Sequence, residues 1–207
     1  MRVIPFRVAP FDNGTYILVD AHRDAIVVDP SLGEKEVLEA VRREGMRVLA
    51  ILNTHGHPDH VYSNAPVKEA TRARLAIHRL DAYRLEEVTR PGGVLPPAPL
   101  AVADDLLEEG RLDYLADVRL EALHTPGHTE GSTCYHLPDE RILFSGDVLF
   151  AGNVGRVDLP GGDARQMEAS LARIADLPPE TRVYPGHGAQ TTIGGETGWL
   201  KGFRFAD

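Results

Sequence analysis

The 207-residue chain has little cysteine, no long apolar run and no excess of basic residues. Its one cysteine, Cys134, cannot form an internal disulfide, which is typical of proteins in reducing compartments. No stretch approaches the ~20 apolar residues that a membrane span requires, and residues 1–11 lack the pattern of a signal peptide. We therefore expect a cytoplasmic protein that makes no use of a membrane.

The charge balance argues against a nucleic-acid partner. Lys and Arg number 22 against 31 Asp and Glu, a formal net charge of −9, whereas a phosphate backbone is bound by a basic face. The hydrophobic content of 43% is that of an ordinary globular protein, and the length suits one well-buried core. We expect a single domain over residues 1–207, and the oligomeric state stays open.

Strand and helix patterns alternate along the chain. Ser31 and Glu34 have the spacing of a capping box, and Gly45 stands where the helix that follows them should end. Pattern and turn signals predict the other helices at 67–74, 80–88 and 163–175. They predict strands at 15–20, 25–29, 48–52, 75–78, 118–123, 133–137 and 142–144, with a last strand ending at Tyr184. This order favours a layered α/β fold.

Three segments between these elements are harder to assign. Residues 53–64 are predicted as a loop, because Pro58 disfavours a helix there. Four prolines make residues 90–100 irregular, a candidate flap. The glycine-rich tail, 189–207, carries no clear pattern.

The densest group of potential metal ligands is the run THGHPDH at positions 54–60. It contains His55, His57, Asp59 and His60, and it directly follows an apolar strand. Two histidines two residues apart would diverge on a helix, but on an extended loop they can converge on one cation. Imidazole and carboxylate suit zinc, iron or manganese. The alternative is a polar turn whose histidines point into water, which is the usual role of a single histidine.

Three later residues repeat this arrangement: His128, Asp147 and His187 each follow a predicted strand and a turn rich in glycine or proline. Any one of them alone would be read as a turn former. Together with the run at 54–60 they supply enough ligands for two cations.

These residues, in this order, resemble the metallo-β-lactamase superfamily, over nearly the whole chain. The resemblance implies an αββα four-layer sandwich with the metal site at the sheet edge. By matching positions, one metal would be held by His55, His57 and His128. The other would be held by Asp59, His60 and His187, and Asp147 would bridge the two.

Within the superfamily, HTPGHTEGS at 124–132 and the stretch at 146–158 are similar to short bacterial glyoxalase II-like, or hydroxyacylglutathione hydrolase-like, proteins. Asp147 stands where many true β-lactamases lack a bridging carboxylate, so antibiotic hydrolysis is disfavoured. Arg156 stands near the position of a basic residue that contacts glutathione in glyoxalase II; the alternative for it is an ion pair with Asp158. The chain is not expected to include the helical glutathione-binding domain that follows in full-length glyoxalase II.

The resemblance implies a hydrolase with two divalent ions, zinc or iron with manganese as an option, acting on a small-molecule thioester. A metal-activated hydroxide would attack the carbonyl, with Asp59 as the catalytic carboxylate. One alternative is an iron-dependent persulfide dioxygenase, whose single iron would use His55, His128 and Asp147. Others are a lactone or phosphodiester hydrolase on the same site and a metal-binding interaction module.

Overall fold

The computed structural model describes residues 1–205 and builds most of them into two six-stranded sheets. The last two residues of the expected domain, 206 and 207, lie outside the described range. The first sheet runs in sequence order: β1 Arg2–Val8, β2 Asn13–Val19, β3 Asp24–Val28, β4 Arg47–Leu52, β5 Arg74–His78 and β6 Asp105–Leu107. β1, β2 and β3 pair antiparallel, and β3 to β6 pair parallel.

The second sheet is built from the other half of the chain. Its strands are β7 Gly110–Leu112, β8 Leu120–His124, β9 Thr133–Leu137, β10 Ile142–Gly146, β13 Arg182–Pro185 and β14 Thr191–Thr192. Their order across the sheet is β14-β13-β10-β9-β8-β7, and only β10 and β13 pair parallel among them. Two short strands, β11 Leu149–Phe150 and β12 Asn153–Val154, form a separate hairpin.

Helices cover the outer face of each sheet. Beside the first sheet lie α1 Glu34–Glu44, α2 Pro58–Val61, α3 Asn64–Thr71 and a 3₁₀ helix, Ala82–Thr89. Beside the second lie α4 Ala164–Ile174 and α5 Ile193–Leu200. No helix within residues 1–205 is long and apolar enough to cross a bilayer.

Side-chain alternation along the strands produces the layers. In β2, Tyr16 and Leu18 belong to the core between the two sheets, while Ile17 packs with Val37 of α1 on the outer face. In β10, Phe144 faces the core between the two sheets, and Leu143 packs on the outer face against α4. Successive residues of a strand point to opposite faces, so strands that are apolar throughout need a cover on both sides. The αββα sandwich expected from the resemblance is confirmed.

Two predictions about helix starts are wrong. α1 begins after Gly33 with no side-chain cap, because the hydroxyl of Ser31 donates instead to the backbone carbonyl of Asp29, 3.1 Å away. The segment 53–64 is not all loop, since α2 begins at Pro58 and α3 begins at Asn64, ahead of the predicted residue 67. Proline fits the first turn of a helix, where its missing N–H has no intrahelical partner.

The other predicted boundaries agree with the structure within a few residues. The remaining differences are elements of the structure that the sequence did not predict. Gly45 ends α1 in the left-handed conformation, with φ of 61°, as expected. The 80–88 helix is a 3₁₀ helix, and residues 90–100 are irregular as predicted. The edge strands β1, β6, β7 and β14, the hairpin strands β11 and β12 and the helix α5 are absent from the sequence prediction. Edge strands are short or half-exposed and lack a full apolar alternation.

Candidate metal centre

The seven predicted ligands meet at one edge of the sandwich. They follow the carboxyl ends of four strands: β4 leads into positions 55–60, β8 to His128, β10 to Asp147 and β13 to His187. β10 and β13 are parallel neighbours, so their carboxyl ends share an edge. The structure therefore brings together residues that are up to 132 positions apart, from His55 to His187.

A first cluster consists of His55, His57 and His128, whose ring nitrogens lie within 4.8 Å of one another. Nε2 of His128 is 2.8 Å from Nδ1 of His57. His55 and His128 are buried, at 1% and 3% exposure. This is the set that the sequence assigns to one metal.

A second cluster consists of Asp59, His60 and His187, again with ligand atoms within 4.8 Å. Nε2 of His60 is 3.1 Å from Nε2 of His187, and Oδ2 of Asp59 is 3.3 Å from the same His187 nitrogen. His60 is fully buried, whereas the side chain of Asp59 is 27% exposed. Asp59 therefore lies at the open side of the cluster.

Asp147 stands between the two clusters. Its Oδ1 is 3.4 Å from Nε2 of His60, and its Oδ2 is 3.5 Å from Nε2 of both His128 and His187. The close approach depends on Gly186, where a Cβ atom would lie 2.1 Å from Oδ1 of Asp147. One carboxylate thus faces histidines of both sets, which is the position that a bridging ligand needs.

Hydrogen bonds on the far side of each ring decide which nitrogen faces the cluster. Nδ1 of His128 donates to the carbonyl of Arg156 at 2.7 Å, and Nδ1 of His187 donates to the carbonyl of Phe11 at 2.8 Å. Nδ1 of His60 donates to Asp29 at 3.0 Å. With these protons on Nδ1, the Nε2 lone pairs of all three rings are free for a cation, as in known metal sites.

Asp29 holds ligands of both clusters and was missed by sequence reasoning. Its carboxylate accepts from His60 and from the Thr54 hydroxyl, 2.5 Å away. That hydroxyl can then accept from Nδ1 of His55 at 3.1 Å. Asp29 is also near enough to His55 and His60 to form a third group of potential ligands, but its hydrogen bonds make it an outer partner. Its position just after β3, like that of the ligands after other strands, was the available signal.

Asp81 and Asn13 were missed as well. The carboxylate of Asp81 accepts from the backbone N–H groups of Gly56 and Gly131, each at 2.8 Å, and from the hydroxyl of Thr129 at 2.7 Å. It therefore fixes the loop between His55 and His57 against the loop that follows His128. The amide of Asn13 donates to Asp59 at 3.0 Å. Neither residue lies in a recognisable motif.

Burial and charge set different protonation states in the two clusters. Burial, with the nearby charge of His128, lowers the pKa of His57 to about 3, and burial with the charge of His60 lowers that of His55 well below its usual value. Burial also disfavours charge on His60 and His187. Even so, Asp59 and Asp147 raise the pKa of His60 to about 9, and hydrogen bonds to the same carboxylates raise that of His187 to about 11. His55 and His57 are thus neutral near pH 7, and a cation in the second cluster must displace protons.

The residues present fit a pair of metal ions. Nε2 of His55 and Oδ1 of Asp147 are buried and make no hydrogen bond within the described part of the chain. Buried polar atoms are normally satisfied, and both of these atoms face the clusters. The facing ring nitrogens of His57 and His128 are only 2.8 Å apart, and those of His60 and His187 are only 3.1 Å apart. Two lone pairs directed at one another over such a distance require a proton or a cation between them. The donor set of imidazole and carboxylate accepts zinc, iron or manganese alike.

Arg156 is the one candidate site residue whose side chain lies apart. Its side chain is 61% exposed, and its guanidinium forms a two-pronged ion pair with Asp158, at 2.6 and 2.7 Å. This is the alternative that the sequence left open. The backbone carbonyl of Arg156 nevertheless supports His128, and a role of its side chain in substrate binding stays a prediction.

Comparison with known families identifies the superfamily of the chain. The pattern of the metallo-beta-lactamase superfamily matches residues 9–187. The chain belongs to this superfamily, and the class of protein that its fold and site define is a metallo-hydrolase.

Two curated relatives indicate where in the superfamily it falls. The probable metallo-hydrolase YqgX of Bacillus subtilis (strain 168) is 32% identical over 191 residues, which cover 90% of each chain. A hydroxyacylglutathione hydrolase of Gloeobacter violaceus (strain ATCC 29082 / PCC 7421) is 40% identical over 177 residues. That match covers 85% of this chain and 64% of the relative, so the chain spans less than two thirds of that enzyme.

Solved structures give a similar result. The crystal structure of BLEG-1 B3 metallo-beta-lactamase superposes with a TM-score of 0.89 at 33% identity, covering 96% of this chain and 98% of that one. TTHA1623 in a di-iron-bound form superposes with a TM-score of 0.82 at 39% identity, covering 93% and 96%. The first neighbour is named as a β-lactamase, and the second binds two iron ions.

Proposed function

We propose that this metallo-hydrolase cleaves thioesters, of the S-acylglutathione type or a related thiol ester, with two divalent metal ions. The observation that carries the proposal is the placement of Asp147 between two three-ligand clusters. The 40% identity to a hydroxyacylglutathione hydrolase supports the thioester, and the di-iron form of TTHA1623 supports a two-metal site. Zinc and iron are the first candidates for the metals.

The metal ions and the surrounding residues would have different roles in hydrolysis. When bound, the two cations would lower the pKa of a shared water towards neutrality and polarise the scissile carbonyl. Asp59, held by Asn13 and partly exposed, would orient the attacking water and hold its proton. Burial of the first cluster excludes bulk water from the other side. A thiolate leaves without a strong general acid, because its pKa is near 8.5.

The test is a parallel loading of the purified protein with zinc, iron or manganese, followed by metal analysis and an assay with S-lactoylglutathione. We expect about two metal ions per chain and kcat/KM of about 10⁴ M⁻¹s⁻¹ or more in at least one form. Asp59→Asn should lose at least about a hundredfold in kcat. Asp113→Asn is the matched control, since that side chain is 79% exposed and forms a surface ion pair with Arg111.

Failure of the assay would separate the alternatives. A protein with two bound metals that hydrolyses no thioester contradicts the proposal. Cleavage of a chromogenic cephalosporin would then favour the β-lactamase function that the name of BLEG-1 suggests. Oxygen uptake with glutathione persulfide in the iron form would favour the dioxygenase.

A further inference from the structure

An apolar cavity adjoins the second cluster. It has a volume of about 320 Å³, and Asp59 and His187 are part of its lining. Most of the other lining side chains are apolar: Phe11, Pro58, Tyr62, Val88, Val94, Leu95 and Pro96. Cavities of this size and character are typical small-molecule sites. Because Asp59 and His187 form part of its wall, a group that fills the cavity lies next to the second cluster.

The cavity wall is built into the fold. Residues 90–97 form a proline-rich loop that begins with the Arg90 N–H donating to the Glu87 carbonyl at 3.2 Å. The loop ends with the Ala98 N–H donating to the Val88 carbonyl at 2.8 Å. Both anchoring carbonyls belong to the 3₁₀ helix. Arg84 of this helix packs against Gly56, which lies between the candidate ligands His55 and His57. The loop is therefore held in position relative to the metal ligands.

The lining offers few partners to a glutathionyl group. Glutathione carries two carboxylates and an ammonium; Arg90 and Glu87 can pair with one carboxylate and the ammonium at most, which leaves the second carboxylate beside an apolar wall. Lactoyl is small and polar and would leave most of the apolar wall in contact with water. An apolar acyl group removes that wall from water, and each methylene so buried contributes up to about fourfold in binding, about 0.8 kcal/mol.

We propose, resting on the thioester hydrolysis proposed above, that this cavity binds the acyl side of the substrate and selects apolar acyl groups larger than lactoyl. The scissile carbonyl lies at Asp59 and His187, the acyl chain extends between Tyr62 and Leu95, and the thiol side points away from the cavity. The substrate class is aliphatic or aromatic acyl thioesters.

The first experiment compares acetyl, lactoyl, butanoyl and hexanoyl thioesters of one thiol, N-acetylcysteamine, and then hexanoyl thioesters of several thiols. Four added methylenes that are half removed from water raise kcat/KM by about fifteenfold from acetyl to hexanoyl. Equal rates for acetyl, lactoyl and hexanoyl contradict this inference and leave thioester hydrolysis intact. A dependence on the thiol with none on the acyl chain also overturns it. No hydrolysis of any thioester contradicts the proposed function instead.

Variants of the loop test the location. Leu95→Ala should lower the hexanoyl-to-acetyl ratio at least threefold. Leu100→Ala, in the same segment but outside the cavity, should leave the ratio unchanged. Gly93→Leu should lower the ratio further by filling the cavity, since a Cβ atom there meets nothing closer than 3.8 Å. A ratio that is the same in all three variants contradicts the location.

A binding measurement is independent of turnover. Calorimetry on the zinc-loaded protein should show hexanoate binding at least tenfold more tightly than acetate, with a negative heat-capacity change from apolar burial. Leu95→Ala should weaken hexanoate and leave acetate unaffected. Equal affinity for the two carboxylates overturns the proposal, whatever the assays show.

Discussion

Asp81 offers the sharpest test of how the first metal cluster is held together. It is fully buried and accepts three hydrogen bonds, from Gly56, Thr129 and Gly131. The guanidinium of Arg84, whose side chain is 3% exposed, lies 3.5 Å from it. Packing is tight, because a Cβ atom on Gly131 would lie 2.7 Å from the carboxylate. The site has little freedom to relax when the charge is removed.

Two substitutions separate charge from shape. Asp81→Ala removes every acceptor and leaves a buried cation short of one partner, which should lower the free energy of unfolding by about 3–5 kcal/mol. Asp81→Asn keeps the shape but turns an NH₂ group towards N–H donors. About two acceptor contacts are lost, so we expect a decrease of about 2–3 kcal/mol.

The loss of the Asp81 hydrogen bonds should also weaken metal binding. Gly56 lies between His55 and His57, and Thr129 follows His128, so the freed loops can separate the three first-cluster ligands. Outer partners of metal ligands typically contribute ten- to a hundredfold in affinity. We therefore expect Asp81→Asn to weaken one of two bound metals by at least tenfold and to leave the other, in the cluster that Asp29 and Asn13 support, within a fewfold.

The assays are urea unfolding of the metal-free protein and calorimetric metal titration. Asp158→Asn is the control, because Asp158 is an exposed carboxylate, with 66% of its side chain accessible, paired with an equally exposed arginine. Such pairs contribute about 0–1 kcal/mol. If Asp81→Asn unfolds at the wild-type urea concentration and titrates two metals with wild-type affinity, Asp81 does not hold the cluster in the way argued here.

Three further predictions concern ligand approach, metal removal and pH. Gly186→Ala should contain less bound metal on elemental analysis, because its Cβ atom would collide with Asp147. The control Gly198→Ala, with open space around the new Cβ atom, should keep its metal. Full metal content in both variants would contradict the argument. Removing the metals with a chelator should lower the melting temperature, because ligands at 100 to 1,000 times their Kd stabilise by about 2.7–4.1 kcal/mol; an unchanged melting temperature would show that the clusters add nothing to stability. Burial, with the charges of His124 and Arg79, lowers the pKa of His78 to about 4. Between pH 6.5 and 4 the imidazole is therefore protonated in the unfolded chain but neutral in the folded one. The contribution of His78 to stability is fully present above pH 6.5 and is lost as the pH falls towards 4. The loss is at most about 2 kcal/mol after allowance for solvent screening. His78→Asn should flatten that slope in the metal-free protein, and an identical slope would rule the residue out.

Local patterns predicted much of this protein. The ligands at positions 55–60 are neighbours in sequence, so their density is visible without a fold. His128, Asp147 and His187 could be added because each follows a strand, and strand ends collect at a sheet edge. The inner strands were predictable for a related reason: continuous apolar runs such as Val48 to Leu52 record burial on both faces.

Half-exposed and edge elements escaped prediction. β1 alternates exposed and half-buried residues and includes Pro5, so its pattern is weak. Ser31 had the spacing of a helix cap, but its N–H donates to the carbonyl of His60 and it adopts φ of 50°. A contact with a residue 29 positions away overrode the local preference.

The sequence by itself favoured the layered α/β class and predicted the irregular segment at 90–100, because each of these rests on neighbours along the chain or on the two-residue period of a strand. It also predicted the seven candidate ligands, from the dense run at 54–60, the strand-end positions of the other three and the resemblance to a known superfamily. Only the tertiary structure decided the outer partners and the cavity. Asp29 and Asp81 resemble any other loop carboxylate until the fold brings N–H, hydroxyl and imidazole donors to them. The ion pair of Arg156 with Asp158 was one of two alternatives from the sequence, and the folded loop shows that the two side chains meet. The role of a charged or polar side chain depends on which distant groups it meets in a desolvated place, and that is a property of the fold.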